Sequence, residues 1–368
     1  MRKKSQHRES KRLLVCMPSW VGDAVMATPT LRALDHLYPQ AHITALTRAT
    51  VRPVVEACPW IDRIMTVLSP RRGKSDAFRN GILSLSRRLA SKKYDTAVLL
   101  PNSFRSALTV MLAGIPRRVG YDRDGRGFLL TDRLLPRRNR GSYVPVPTRD
   151  YYLGLARYLG ATDVDYSMRL FTKSEHDQAV DDLLAQPHFD WPNRPLVLIM
   201  PGASYGSAKM WPADRFAALA DRCTTQLHAN VAISGAPKER AVLDRVLAAA
   251  QEPVHDLLKL GIDLSRFKSM VNRCSLVITN DTGPRHIAAA LGVPVISIFG
   301  PTDPAWTEIG FAQERQVQID VECGPCQLKQ CPLDHRCMKW IDVDTVFDHA
   351  VELLGFGRVR CRPQCAVD

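Results

Sequence analysis

The sequence predicts an α/β protein built as two successive doubly wound units. Three observations carry this. Strand and helix signals alternate along most of the chain, the mark of βαβ units and a parallel sheet covered by helices on both faces. The alternation breaks at residues 125–147 and, past a boundary near 165–190, restarts with the same rhythm. At 368 residues, 45% hydrophobic and 24% charged, the chain is globular and long enough for two domains of about 150–200 residues each. The expected division is 1–175, 176–342 and a C-terminal helix and tail over 343–368.

The elements follow in order. A strand is expected over 12–17, and the turn Pro18-Ser19-Trp20-Val21-Gly22-Asp23 leads into a helix over 24–38 with Val25, Leu31, Leu34 and Leu37 at helical spacing. A strand over 42–47, a short helix over 51–57 and a strand over 64–67 come next. A helix over 81–91 carries Arg and Lys on its polar face. An apolar strand over 96–100, a helix over 103–113 and a strand over 118–121 complete the first run. The stretch 125–147, rich in Arg, Pro and Gly, interrupts the pattern. Helices over 150–159 and 174–184 resume it, the second opened by Ser174 with Asp177 three residues on, a start like a capping box. The second half then reads as strands over 196–200, 230–234, 276–279 and 295–299. Its helices are expected over 212–226, 238–250, 263–272, 284–291 and 344–354, with Pro212 in the first turn of the first.

Composition narrows the function classes. Disordered and collagen-like chains are excluded. The longest apolar runs, such as 96–100 and 293–299, stop well short of the roughly 18–20 residues that a membrane span needs. The start is basic but no apolar signal core follows it, so a cytosolic protein is expected. Fifty Lys and Arg against 37 Asp and Glu leave a net charge of +13, which favours an anionic partner: a phosphorylated substrate, a nucleotide, a nucleic acid or an acidic membrane surface. The basic clusters at 71–74, 87–88, 92–93, 117–118 and 133–140 all lie in the first 140 residues. Most of them read as solvated surface.

Three segments carry chemistry. The run Val277-Ile278-Thr279-Asn280-Asp281-Thr282-Gly283-Pro284-Arg285-His286 is a buried strand, a polar turn and a helix with proline in its first turn. Such a helix start offers free backbone N–H groups and the positive end of the helix dipole to an anion, though an ordinary capped helix reads the same way. The run from Met200 to Pro212 is again strand, Gly- and Ser-rich turn, Lys209 and helix. Its spacing is not that of a Walker A motif, and Lys209 suits a diphosphate as a point charge. Asp23, at the start of the first helix, can act as a general base or merely cap the helix.

Together these segments, with Leu100–Ala107 and Gly300-Pro301-Thr302, resemble the heptosyltransferases of glycosyltransferase family 9 in order and spacing across roughly residues 12–345. The resemblance implies a GT-B fold, two Rossmann-like domains with parallel sheets facing across a cleft, and inverting transfer that needs no catalytic metal. It implies heptose transfer from ADP-heptose to an anionic lipid A–core acceptor of lipopolysaccharide, with peripheral contact at the inner face of the cytoplasmic membrane. Carried over residue by residue, Asp23 matches the base and Lys209 the lysine at the donor phosphate and sugar. Asp281, Thr282, Gly283 and His286 match the donor loop, and Glu239 an acidic residue that binds the ribose; Ser204 belongs to the same donor side. Ser19, Asn102, Arg105 and Arg118, with Arg117, are expected on the acceptor side. Arg285 fills a position that is often apolar in the family. Two other readings stand beside this one: a family-9-like transferase that uses another nucleotide sugar, and a basic nucleic-acid-binding protein, for which no recognised module appears.

Of ten cysteines, Cys16, Cys58, Cys223 and Cys274 sit in apolar settings and read as small core residues. Cys323, Cys326, Cys331 and Cys337 form a compact set with His335 inside it. Four thiolates at this spacing can hold a structural zinc, can ligate an iron–sulfur cluster or can remain unligated or pair as disulfides. Cys361 and Cys365 read as separate.

Overall fold

The computed structural model describes residues 10–67 and 75–356. The chain divides into two compact units: residues up to Phe171 together with Ala305–Ile309, and Thr172–Pro304 together with the residues from Gly310 on. The basic cluster at 71–74 and Cys361 and Cys365 lie outside the described residues.

The first unit contains β1 (Arg12–Cys16), α1 (Val21–Met26), α2 (Thr28–Leu37), β2 (His42–Arg48), α3 (Arg52–Val55), β3 (Arg63–Val67), α4 (Ser75–Ala90), β4 (Thr96–Leu99), α5 (Phe104–Leu112), β5 (Arg117–Tyr121), β6 (Asp132–Leu134), the hairpin β7 (Arg138–Asn139) and β8 (Ser142–Tyr143), and α6 (Thr148–Leu159). Its six-stranded sheet runs β3-β2-β1-β4-β5-β6 and every pairing is parallel. The second unit contains α7 (Ser174–Leu184), β9 (Leu196–Met200), α8 (Ala213–Leu227), β10 (Asn230–Ile233), α9 (Arg240–Ala249), β11 (His255–Asp256), α10 (Leu264–Arg273), β12 (Leu276–Asn280), α11 (Gly283–Ala290), β13 (Val295–Ile298), β14 (Glu314–Val317), α12 (Arg336–Lys339) and α13 (Val343–Phe356). Its sheet, β11-β10-β9-β12-β13-β14, repeats the same order and is again wholly parallel.

This order places a topological switch point between β1 and β4, and another between β9 and β12. Connections leave the two adjacent strands toward opposite sides, so a crevice opens at their carboxyl ends, where doubly wound sheets bind ligands. The four segments that follow these strands are therefore the ones that can form sites: Pro18–Asp23 and Pro101–Ser103 in the first unit, Pro201–Lys209 and Asp281–Gly283 in the second. Central strands read as unbroken apolar runs because both faces are covered. All five residues of β9 and all five of β12 are buried.

The structure departs from the expected elements in several places: among them, β6 and the β7–β8 hairpin fall inside the stretch 125–147, and α4 begins at Ser75 rather than 81. The single helix expected over 24–38 is two. Pro29 has no N–H to bond the carbonyl of Val25, and the Thr28 hydroxyl donates to that carbonyl instead at 2.7 Å. The capping box at Ser174 does not form. Lys173 is the N-cap, and the Asp177 carboxylate accepts from the Thr172 hydroxyl and from Arg273 on α10. The edge strands β11 and β14 escape periodicity because they are short and polar, half exposed along much of their length. The four-residue helix α12 is too short to show a period. The expected core cysteines Cys16, Cys58, Cys223 and Cys274 are all buried and free.

One buried polar group ties the second switch point together. Asn280, with no exposed surface, accepts from the Trp211 N–H at 3.1 Å and donates to the carbonyls of Pro201 and Gly202 at 2.8 and 3.3 Å. Trp211 in turn packs edge-on against Phe216, with ring centroids 4.9 Å apart, and donates its indole N–H to the carbonyl of Ile341. Asn280→Ala leaves the Trp211 N–H and two carbonyls without this partner. It is expected to lower the unfolding free energy by about 1–3 kcal/mol, read from denaturant melts against the parent chain.

Candidate active site

In the second unit, the Lys209 side chain is mostly buried and its ammonium donates to Asp281 Oδ2 at 2.5 Å and to the Asp281 carbonyl at 3.0 Å. Two of its three N–H donors are used and one is left. Asp281 also accepts from the Thr302 hydroxyl at 2.9 Å and lies 3.5 Å from Arg285. Burial pushes the Asp281 carboxyl up, but the charges of Lys209 and Arg285 outweigh it and hold the group below the ordinary carboxylate range. Asp281 is thus an anion at neutral pH, and it orients Lys209 toward the start of α11.

That helix start is open. Thr282 is the N-cap, yet its hydroxyl turns back to the Asn280 carbonyl at 3.2 Å, so no side chain caps the first-turn N–H groups. Gly283 begins the helix and Pro284 needs no acceptor. His286, one turn along, is buried, and its Nδ1 has no hydrogen-bond partner among the described residues. Burial, reinforced by the Arg285 charge, pushes its pKa down to about 3, so the ring is neutral at physiological pH. A neutral imidazole with an unpaired nitrogen, beside uncapped amides and an oriented ammonium, can receive an anionic ligand.

Glu239 stands at the neighbouring strand ends. Its carboxylate accepts from the Ala236 N–H at 2.8 Å and from the Ser204 hydroxyl at 3.3 Å. A Cβ on Gly202 would fall 2.4 Å from the Glu239 carboxyl carbon, so the absence of a side chain there is what admits it. The six expected donor residues, Ser204, Glu239, Asp281, Thr282, Gly283 and His286, thus gather with Lys209 around the carboxyl ends of β9, β10 and β12.

Arg285 has a role the sequence did not disclose. It is fully buried and binds Glu314 on β14 through Nε at 2.5 Å and Nη2 at 3.0 Å, and its guanidinium lies over the Phe299 ring. An arginine inside an apolar helix signals a buried acid somewhere, but only the fold identifies Glu314 as that acid.

In the first unit, a pocket of about 480 Å³ lies at the switch point of the sheet. Asp23, Ser19 and Asn102 line it with Tyr151, Tyr152, Arg123 and Arg137. Burial, with the Asp23 charge added, pushes the Tyr152 hydroxyl well above its ordinary value, so this phenol stays protonated beside the carboxylate. Tyr151 donates to Asn102 Oδ1 at 3.0 Å and stacks on Tyr121 with centroids 3.8 Å apart. Behind the pocket floor, fully buried Arg126 donates to the carbonyls of Pro101, Ser103 and Tyr121 and holds the turn that carries Asn102.

Three arginines expected on the acceptor side do not line this pocket. Arg117 and Arg118 open β5 at the opposite, amino end of the sheet. Arg117 pairs with Asp132 at 3.1 Å, and the Arg118 guanidinium donates to the carbonyls of Leu129 and Ile115. Arg105 packs toward α4 at Gly81. The pocket's cations come instead from the irregular stretch after β5. Arg123 lies over the Tyr143 ring at 4.0 Å, with Arg138 over the same ring at 4.5 Å. Arg137 makes no side-chain hydrogen bond or ion pair among the described residues.

The cysteine set divides by exposure: Cys323 and Cys326 are exposed, Cys331 is intermediate and Cys337 is buried. Burial, with the charges of Cys331, Cys323 and Cys326 added, pushes the Cys337 thiol up to about 11. All four are free thiols. The donor chemistry suits zinc, but among the described residues no group of three or more His, Cys, Asp or Glu side chains is arranged to hold a metal ion.

The model of glycosyltransferase family 9 (heptosyltransferase) matches residues 82–336. The lipopolysaccharide heptosyltransferase 2 of Escherichia coli K12 is 30% identical over 310 residues, 80% of this chain and 84% of that protein. The lipooligosaccharide heptosyltransferase 2 of Haemophilus ducreyi is 30% identical over 313 residues, 80% of this chain and 85% of that protein. The solved structure of E. coli ADP-heptose lipopolysaccharide heptosyltransferase II, 26% identical, matches with a TM-score of 0.78 over 94% of this chain and 99% of that one. The two parallel, doubly wound six-stranded sheets are those of the GT-B fold, which this chain shares with that glycosyltransferase. The chain belongs to glycosyltransferase family 9, the heptosyltransferases.

The buried histidine makes stability depend on pH. His286 is neutral in the fold down to about pH 3, whereas in the unfolded chain it protonates near 6.5. The unfolded chain binds more protons between those values, so the contribution is complete above about pH 6.5 and is lost as pH falls toward 3. Thermal midpoints measured from neutral pH downward are expected to fall less steeply for His286→Gln than for the parent chain.

Proposed function

We propose that this enzyme transfers heptose from ADP-heptose to a lipopolysaccharide inner-core acceptor, with inversion and with Asp23 as the general base. The observation that carries the reading is the anion seat of the second unit, where Asp281 aims Lys209 beside an α11 start that no side chain caps. The sugar, nucleotide and acceptor come from the names of the E. coli relatives.

Inversion is a single displacement. The acceptor hydroxyl oxygen attacks the anomeric carbon, and its proton passes to the Asp23 carboxylate. The bond from the anomeric carbon to the diphosphate oxygen breaks, and its electron pair leaves with ADP. The growing charge falls on the free N–H of Lys209, the amides of Thr282 and Gly283 and the dipole of α11. His286, in the tautomer that carries its proton on Nδ1, donates to the same group without a charge of its own. Glu239, backed by Ser204, accepts from the ribose hydroxyls. On the acceptor side, Ser19 and Asn102 orient the sugar, and Arg123 and Arg137 meet its phosphate or carboxylate groups. Lys209 and the helix end supply the positive charge, so the reading needs no catalytic metal.

Peripheral membrane contact is part of the same proposal. A groove of about 700 Å³ along the edge strand β3 is lined by Arg52, Arg63, Arg88 and Lys92, a charge pattern suited to anionic headgroups. Vesicles rich in phosphatidylglycerol are expected to sediment the protein at low salt and release it at high salt, and Arg63→Glu with Arg88→Glu to abolish the effect. Sedimentation that ignores salt and both substitutions would count against this contact.

Two measurements test the chemistry. Isothermal titration with ADP, UDP and GDP is expected to give a clear preference for ADP that EDTA does not change. A preference for UDP or GDP would keep the transferase and discard the heptose donor. Asp23→Asn is expected to slow transfer by about 10²–10⁴-fold while ADP affinity stays within a few-fold. Unchanged turnover would remove Asp23 from its role.

A further inference from the structure

The segment from Cys323 to Cys337 is packed onto the loop that carries Lys209. The Ala208 N–H, next to Lys209, donates to the Lys329 carbonyl at 3.1 Å. The Ala208 carbonyl accepts from His335 Nε2 at 2.7 Å. Both polar groups of this backbone unit are therefore held by the cysteine-bearing segment. The Tyr205 hydroxyl donates to the Gln327 carbonyl at 2.7 Å, and the Tyr205 ring lies 5.2 Å from Lys209 Nζ and 5.8 Å from Lys329 Nζ. A Cβ on Gly206 would sit 2.1 Å from the Lys329 carbonyl oxygen, so the two backbones meet there at a distance only glycine permits. The far side of the segment is anchored as well, by the Gln327 N–H on the Pro301 carbonyl at 2.8 Å.

We propose that this segment is the positioning element for Lys209, with His335 as its key side chain. The inference rests on the reading of Lys209 as the diphosphate lysine. Asp281 fixes the tip of the Lys209 side chain. A tip so fixed gives a single placement only if the backbone at its root is fixed too, and Ala208 is that root. His335 and the Lys329 carbonyl supply the second anchor. Every contact lies between two cysteines: Gln327 and Lys329 between Cys326 and Cys331, His335 between Cys331 and Cys337. Whatever alters the spacing of those thiols thus moves the wall against which Lys209 is set. His335 touches neither reacting atom, and its effect runs through Lys209 alone.

The test is a double-mutant cycle read as ADP affinity by titration calorimetry, in the full-length protein. His335→Ala is expected to weaken ADP binding about ten-fold, the scale of one lost hydrogen bond at a buried carbonyl. His335→Gln, whose amide nitrogen reaches as far as Nε2, is expected to restore most of it. In a Lys209→Ala background, His335→Ala is expected to add nothing. Tyr205→Phe, which removes only the Gln327 contact, is expected to weaken binding in the same direction by less, and it serves if His335→Ala fails to fold. Parent-like affinity in both His335→Ala and Tyr205→Phe would overturn the proposal. So would a full further ten-fold loss from His335→Ala when Lys209 is already gone. If Lys209→Ala itself binds ADP as tightly as the parent, the donor reading falls first. If it binds weakly while His335→Ala and Tyr205→Phe both bind normally, only the positioning role falls.

Discussion

The buried pair of Lys209 and Asp281 is the interaction on which the second unit's site depends. Two cations, Lys209 and Arg285, and two anions, Asp281 and Glu314, form one connected group with almost no exposed surface, running from the carboxyl end of β12 to Glu314 at the start of β14. Taking such charges from water costs several kcal/mol each, and mutual pairing repays it only when the remaining donors and acceptors are bonded. Here Thr302 and the Asp281 carbonyl serve the first pair and Ser297 and Phe299 the second, which leaves one N–H of Lys209 unused. The arrangement contributes less to stability than to order. An ammonium held by its partner at two points is presented in one direction, which is what a site for developing negative charge requires.

Neutrality is the second consequence. The four charges cancel, and His286 adds none because burial keeps it unprotonated. The attraction for an anion then comes from directed groups, the spare N–H of Lys209 and the uncapped amides of α11, rather than from a surplus of charge. Directed donors discriminate between a diphosphate and a stray anion better than net charge does, since they reward geometry.

The two units share strand order and direction but have opposite endowments at the same topological place. After β1 and β4 the first unit sets a carboxylate, tyrosines and arginines; after β9 and β12 the second sets a lysine, a helix dipole and small polar side chains. One fold thus sets a carboxylate among tyrosines in one unit and an ammonium beside an open helix start in the other. Buried cations support both. Arg126 holds the Pro101–Ser103 turn in the first, and Arg285 braces α11 against β14 in the second.

The sequence by itself determined the alternation of elements, the two successive units and the segments that follow the central strands, because apolar periodicity and proline–glycine punctuation are local properties. It also marked Asp23, Lys209 and the Asn280–His286 run, since strand ends with small polar residues and a helix start stand out in one dimension. Only the tertiary structure decided which charges face a pocket. Arg117 and Arg118 look as available as Arg123 and Arg137 in a basic stretch, yet parallel strand direction sends the first pair to the amino end of the sheet and the second pair to the carboxyl end. Glu314, Arg126 and His335 were equally illegible. Their partners lie from 5 to 127 residues away along the chain, and a buried charge or a loop anchor is defined by what the fold brings to it.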